Sequence, residues 1–153
     1  MGLTRWLSPE QELAWRHYRR MRTLLDLQTA RDLKHDSNLS EPDYDVLSTL
    51  SESPDGSWRP RDLAARLLWS TSRLAHQVGR MEQRGLVARR GVDEDGRGAV
   101  VELTEHGRAV LRAAAPAHVE SVRRNLVDLL SPAEIKTLDR IARKIIEHLG
   151  ADG

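Results

Sequence analysis

Eight arginines lie between positions 59 and 90 (Arg59, Arg61, Arg66, Arg73, Arg80, Arg84, Arg89 and Arg90), against two acids, Asp62 and Glu82, so this fifth of the chain has a net charge of +6. The guanidinium group is planar, permanently charged, and presents a rigid fork of donors that fits phosphate oxygens and the O6/N7 edge of guanine. No lysine shares the segment. Hydroxyl, imidazole and amide side chains are interleaved with the arginines: Ser70, Thr71, Ser72, His76 and Gln77. That mixture suits a surface that holds a polyanion and reads hydrogen-bonding edges. The remainder of the chain is acidic, −3 over residues 1–58 and −2 over 91–153, which is how 153 residues reach a total of only +1. The whole-chain balance therefore conceals a polyanion-facing patch.

Other chemistries find little support. Cysteine is absent, which excludes disulfides, thiolate metal sites and a thiol redox switch. The six histidines (His17, His35, His76, His106, His118, His148) include no i, i+4 pair and no cluster with ligand spacing, so no metal or other cofactor is expected. Asp93-x-Asp95 resembles the start of a calcium loop, but the glycine and distal glutamate that such a loop needs are not in place. No nucleophile elbow or phosphate-binding loop occurs, and an enzyme is not expected. No apolar run approaches the ~18 residues of a membrane span, and Met1–Ser8 carries no signal-peptide pattern. The expectation is a cytoplasmic protein without membrane contact. Phenylalanine is also absent, so the core falls to Leu, Val, Ile, Ala, Met and a few Trp.

The elements that must position the arginines follow from caps and periodicity. Ser8-Pro9-x-Gln11 is a capping box, and Ala14, Tyr18, Met21 and Leu25 recur at helical spacing, predicting a helix over 9–35 with Leu24 and Leu27 widening its apolar stripe. A second box at Ser40–Asp43, stapled by Leu39 and Tyr44, opens a helix over 42–52 with Val46, Leu47 and Leu50 inward. Ser53–Ser57 is a loop. Pro60 opens a short helix with Leu63, Ala64 and Leu67 inward, and Ser70-Thr71-Ser72 caps the next, whose apolar face is Leu74, Val78 and Met81 and which Gly85 ends. The period then changes to two: residues 86–90 and 99–103 predict a hairpin around a polar, glycine-rich tip, the only strand signal in the chain. Thr104 caps a helix over 105–130 that Pro116 should kink, and a third box at Ser131–Glu134 opens a last helix whose stripe is Ile135, Leu138, Ile141, Ile145 and Leu149, ended by Gly150. The fold class is mainly α with a small β-hairpin wing: a winged helix-turn-helix between N- and C-terminal helices.

That order gives the arginines a geometry. One face of the helix after Ser70 binds the core, and the others carry Thr71, Ser72, Arg73, His76, Gln77, Arg80 and Arg84, as a recognition helix in a major groove requires. Base readout is expected from Ser70, Thr71, Ser72, Arg73, His76 and Gln77, and phosphate contacts from Arg80, Arg84, Arg89 and Arg90. Arg97, at the hairpin tip, can reach a minor groove. The chain resembles the multiple-antibiotic-resistance regulator (MarR) family of winged-helix transcription factors through Leu63–Leu67, Ser72-Arg73-Leu74, Arg80–Val87, the wing segment Asp93–Arg97 and the exit Val101–Gly107. The resemblance implies a homodimer built from residues 1–38 and 105–153 around a DNA-binding domain at 39–104. It also implies a pseudo-palindromic double-stranded operator, Arg97 in the minor groove with Asp95 or Asp93 holding the tip, and a repressor released by a small ligand. In relatives that bind small aromatic acids, a first-helix Trp and nearby Arg line the pocket. Here these are Trp15 and Arg19, with dimer packing the other reading of Trp15. Trp69 is expected to plug the helix-turn-helix core. The competing function is a winged helix that binds protein rather than specific DNA, which has no need for eight clustered arginines.

Overall fold

The computed structural model describes residues 2–91 and 98–150. The first helix, α1 (Pro9–Ser37), starts at the expected box: Ser8 Oγ accepts the Gln11 N–H and the Gln11 side chain accepts the Ser8 N–H. It runs two residues beyond its predicted end and stops at Asn38, which adopts the left-handed conformation (φ 53°) that Asn tolerates better than most residues. The second helix, α2 (Glu41–Glu52), uses the Ser40/Asp43 box and buries Val46, Leu47 and Leu50. The third, α3 (Pro60–Leu67), is followed by Leu68 in the left-handed region (φ 57°) and Trp69, whose N–H closes the turn onto the Ala64 carbonyl at 2.9 Å. The fourth helix, α4 (Thr71–Gln83), starts from Ser70 and buries Leu74, Val78 and Met81.

The hairpin strands are β2 (Val87–Gly91) and β3 (Ala99–Leu103), antiparallel, in register from Val87↔Leu103 to Gly91↔Ala99. They are not the whole sheet, as the sequence suggested. Ser57–Trp58 forms a further strand, here β1, which pairs antiparallel with β3 and makes the sheet order β1-β3-β2. Two residues are too short to show an alternating pattern, so the pairing partner defines this strand. Helix α5 (Glu105–Asn125) starts on Thr104 and packs along α1. Its Gly107 is required sterically: a Cβ there would overlap the Leu86 carbonyl oxygen. The expected helix to 130 ends at Asn125 instead, and a 3-10 turn (Val127–Leu129) follows; Pro116 sits inside α5 without ending it. The last helix, α6 (Pro132–Leu149), is opened by the Ser131/Glu134 box.

The core lies between α2, α3, α4 and the sheet, with Leu33 of α1 and Ala114 of α5 entering from either side. It therefore crosses both boundaries of the 39–104 segment. Among the described residues, α6 buries no side chain and α1 buries only Leu33. No described helix is long and apolar enough to cross a membrane.

Candidate nucleic-acid interface

The helix-turn-helix places the N-terminus of α4 at the surface. Ser70 Oγ accepts the Arg73 N–H at 3.1 Å, which satisfies one open donor of the first turn and leaves the hydroxyl proton available. Thr71, Ser72 and Arg73 are exposed on that turn, and His76 is exposed one turn on. The Arg73 guanidinium lies over the Trp69 ring, 4.2 Å from its centroid. Trp69 packs against the core and at the same time gives Arg73 a platform, so the side chain leaves the helix in a restricted direction.

Two expected DNA contacts are placed elsewhere. Gln77 is buried, 4% exposed, and its Nε2 donates to Asp43 Oδ1 at 2.7 Å. It lies three residues after Leu74 and four before Met81, squarely in the apolar stripe, and helix geometry turns it inward. Arg84 donates from Nη1 to Asp43 Oδ2 at 2.7 Å and from Nη2 to the Asn38 carbonyl at 3.4 Å. Asp43 is itself buried, so withdrawing Arg84 toward a phosphate would strand a buried charge. Arg84 acts here as a tie between α4 and the α1–α2 junction.

Arg80 is exposed and donates from Nη2 to Gln77 Oε1 at 2.7 Å. Arg89 bridges α4, reaching Glu82 Oε1 and the Ala75 carbonyl at 3.3 Å each. Arg90 pairs with Glu102 across the hairpin at 2.9 Å. The last two are surface ion pairs, worth about 0–1 kcal/mol each, so a phosphate can take over their guanidinium groups at little cost. Asp93, Asp95 and Arg97 lie outside the described residues.

Local sequence marks Asp43 only as a cap residue. Its second role joins α2 to α4 over separations of 34 and 41 residues, which no local pattern reports. Burial pushes its carboxyl up, but the Arg84 guanidinium and the Ser40 N–H outweigh this and hold it below the ordinary carboxylate value.

Trp15 and Arg19 sit far along the chain from these groups. Trp15 stacks on Tyr18 with ring centroids 5.8 Å apart, and both Trp15 and Arg19 line a shallow groove with Trp6, Leu7, Glu12 and Arg16. Among the described residues no cluster of three metal-ligating groups occurs.

Comparison with known proteins agrees with this architecture. Residues 37–98 match the model of the MarR family. The transcriptional regulator HosA of Escherichia coli is 30% identical over 129 residues, covering 84% of this chain and 93% of HosA. AbsC, a MarR family transcriptional regulator from Streptomyces coelicolor, superposes with a TM-score of 0.91 at 42% identity, covering 97% of this chain and all of AbsC. Sco3205 from the same organism, solved in complex with DNA, gives 0.91 at 38% identity and covers 97% of this chain and 93% of its own. With a relative matched over nearly its full length and the same winged helix-turn-helix in place, the chain belongs to the MarR family of transcriptional regulators, which bind rather than catalyse.

Proposed function

We propose that this protein is a homodimeric, cytoplasmic DNA-binding repressor that reads a pseudo-palindromic operator with α4. The observation that carries the reading is the exposed N-terminal part of α4, with Thr71, Ser72 and Arg73 on its first turn, His76 on the next, and Arg80, Arg89 and Arg90 exposed on the same helix and the wing strand, on a lobe whose interior is core. Base contacts come from Ser70, Thr71, Ser72, Arg73 and His76, and phosphate contacts from Arg80, Arg89 and Arg90, with Arg97 reaching the minor groove. That the 38%-identical Sco3205 was solved in complex with DNA supports the DNA-binding reading.

Dimerisation follows from the apolar faces of α1 and α6. Ile141, Ile145 and Leu149 are 45, 51 and 71% exposed in a single chain, and a second copy covers them. The groove at Trp15 and Arg19 pairs an aromatic wall with guanidinium groups, a chemistry that fits a small aromatic acid as the releasing ligand.

The test is retardation and footprinting of the DNA upstream of the protein's own coding sequence. A protected palindrome is expected, with affinity falling steeply as salt rises. Three phosphate contacts per protomer give a log–log slope of about −5 for a dimer. Arg73→Ala should weaken operator binding about tenfold or more, because a bidentate base contact is worth about 1–3 kcal/mol. Binding that is absent, or insensitive to salt, would favour the protein-interaction alternative. Release of the footprint by benzoate or salicylate, lost in Arg19→Ala, tests the ligand.

A further inference from the structure

We propose that Asp43, which lies outside the reading helix, is a positioning residue that aims Arg80 at the DNA backbone through the side-chain amide of Gln77. The proposal rests on the DNA-binding reading above.

The chain of contacts is short. Gln77 Nε2 donates to Asp43 Oδ1 at 2.7 Å, and Arg80 Nη2 donates to Gln77 Oε1 at 2.7 Å. The other carboxylate oxygen, Oδ2, accepts from Arg84 Nη1 at 2.7 Å and from the Ser40 N–H at 3.0 Å, so the carboxylate is held in place from α2 and α4 together. Asp43 and Gln77 are both 4% exposed, which keeps water from competing for the bond between them. Arg80 lies at the surface.

Donor and acceptor types give the chain a direction. An ionised carboxylate can only accept, so Gln77 must turn its NH2 group toward Asp43 and its carbonyl oxygen away from it. A guanidinium can only donate, and the carbonyl oxygen so presented is the group Arg80 needs. Asp43 thereby fixes which end of a buried amide faces outward, and the amide fixes where the arginine points. The rotamer freedom that an arginine loses on binding is already restricted in the free protein.

The substitution Asp43→Asn reverses this logic. Arg84 and the Ser40 N–H still require an acceptor, so the substituted side chain turns its amide oxygen to them and its NH2 to Gln77. Gln77 must then flip, and its own NH2 faces Arg80, donor against donor. Arg80 is released without being mutated. A second change restores the acceptor: with Gln77→Glu in the same chain, one oxygen of the new carboxylate accepts from the amide at position 43 and the other from Arg80, at the wild-type net charge.

The experiment compares wild type, Asp43→Asn, Arg80→Ala, the combination of these two, and Asp43→Asn/Gln77→Glu. Affinity is measured against salt on the footprinted operator and on an arbitrary duplex of equal length, with a thermal melt of each protein. Arg80→Ala should weaken binding about tenfold, as expected for one charged hydrogen bond, and lower the log–log salt slope by about one per protomer. Asp43→Asn should reproduce both effects, the combined variant should be no worse than Arg80→Ala, and Asp43→Asn/Gln77→Glu should recover slope and affinity. The salt slope counts phosphate contacts, and a purely structural role for Asp43 leaves it unchanged. The proposal is overturned if Asp43→Asn lowers the melting temperature with the wild-type slope intact, if its effect adds to that of Arg80→Ala, or if Gln77→Glu rescues nothing. Failure of the wild-type protein to bind either duplex would instead remove the DNA-binding reading itself.

Discussion

Helices α4 and α6 carry the same kind of message in sequence and meet opposite fates. In α4 the stripe Leu74, Val78, Met81 recurs at steps of four and three and is buried inside the chain. In α6 the stripe Ile135, Leu138, Ile141, Ile145, Leu149 repeats at three and four; Ile135 is half-buried, the other four are exposed, and none is buried. On α1, Tyr18, Met21, Leu24 and Leu27 are similarly open, and Leu25 of the same stripe is half-buried. An amphipathic period therefore states that a face needs covering without stating by what. The winged lobe covers its own faces with α2, α3 and the sheet, whereas the faces of α1 and α6 stay open within the chain, and a second copy is the cover proposed for them.

The sharpest way to break this contrast is to charge the open stripe. Ile141→Asp/Ile145→Asp should leave the lobe folded, with most of its circular dichroism retained, yet sediment as a monomer and bind the operator about a hundredfold or more weaker, since two half-sites are no longer held together. A dimer surviving this pair of substitutions would show that α6 is not the covering surface. The complementary change is inside the lobe. Leu47→Ala empties a fully buried position and should cost about 2–5 kcal/mol in urea unfolding, with sedimentation of the folded fraction unchanged.

Smaller effects probe the polar ties. Asp43 has a carboxyl held below its ordinary value of 3.8, so the stability it contributes is present in full above that value and is lost as pH falls through the lower folded-state value. Asp43→Asn should therefore lower stability by about 1–2 kcal/mol at pH 6, and the gap between the two proteins should close below about pH 4 in urea titrations. A gap independent of pH would mean that the ionised form is not what is stabilised. Smallest of all, Glu102→Gln removes the partner of Arg90 and should change stability by less than about 0.5 kcal/mol, while leaving that arginine freer for phosphate and binding slightly tighter.

Most of the fold is legible in the sequence because it is written locally. Three capping boxes fix the starts of α1, α2 and α6, and Gly85 and Gly150, both at positive φ, fix two helix ends. Strand β1 is not legible, because its two residues acquire meaning only opposite Val101 and Glu102. The end of α5 escapes sequence reading because apolar residues continue at helical spacing through the 3-10 turn. In the candidate site, Thr71, Ser72, Arg73 and His76 emerge where a helix wheel puts them. Gln77 is misassigned by its chemistry although the wheel places it correctly: its amide suggests a base reader, while its spacing from Leu74 and Met81 marks it as buried. Arg84 cannot be assigned from local pattern, because its role depends on a carboxylate 41 residues earlier.

Arginine alone, without lysine, supplies the permanent cations of residues 59–90, and this bears on control. A guanidinium does not lose its proton at any pH a cell reaches, and it is not a substrate for the acetylation that neutralises lysine. The charge carried by these arginines is therefore constant in time, indifferent to acid stress and closed to that modification. Four of the eight, Arg84, Arg66, Arg89 and Arg90, are engaged from within by Asp43, Glu52, Glu82 and Glu102. A shift of the reading helices, or of the carboxylates beside these cations, changes what the surface can hold while the charge of the arginines stays the same.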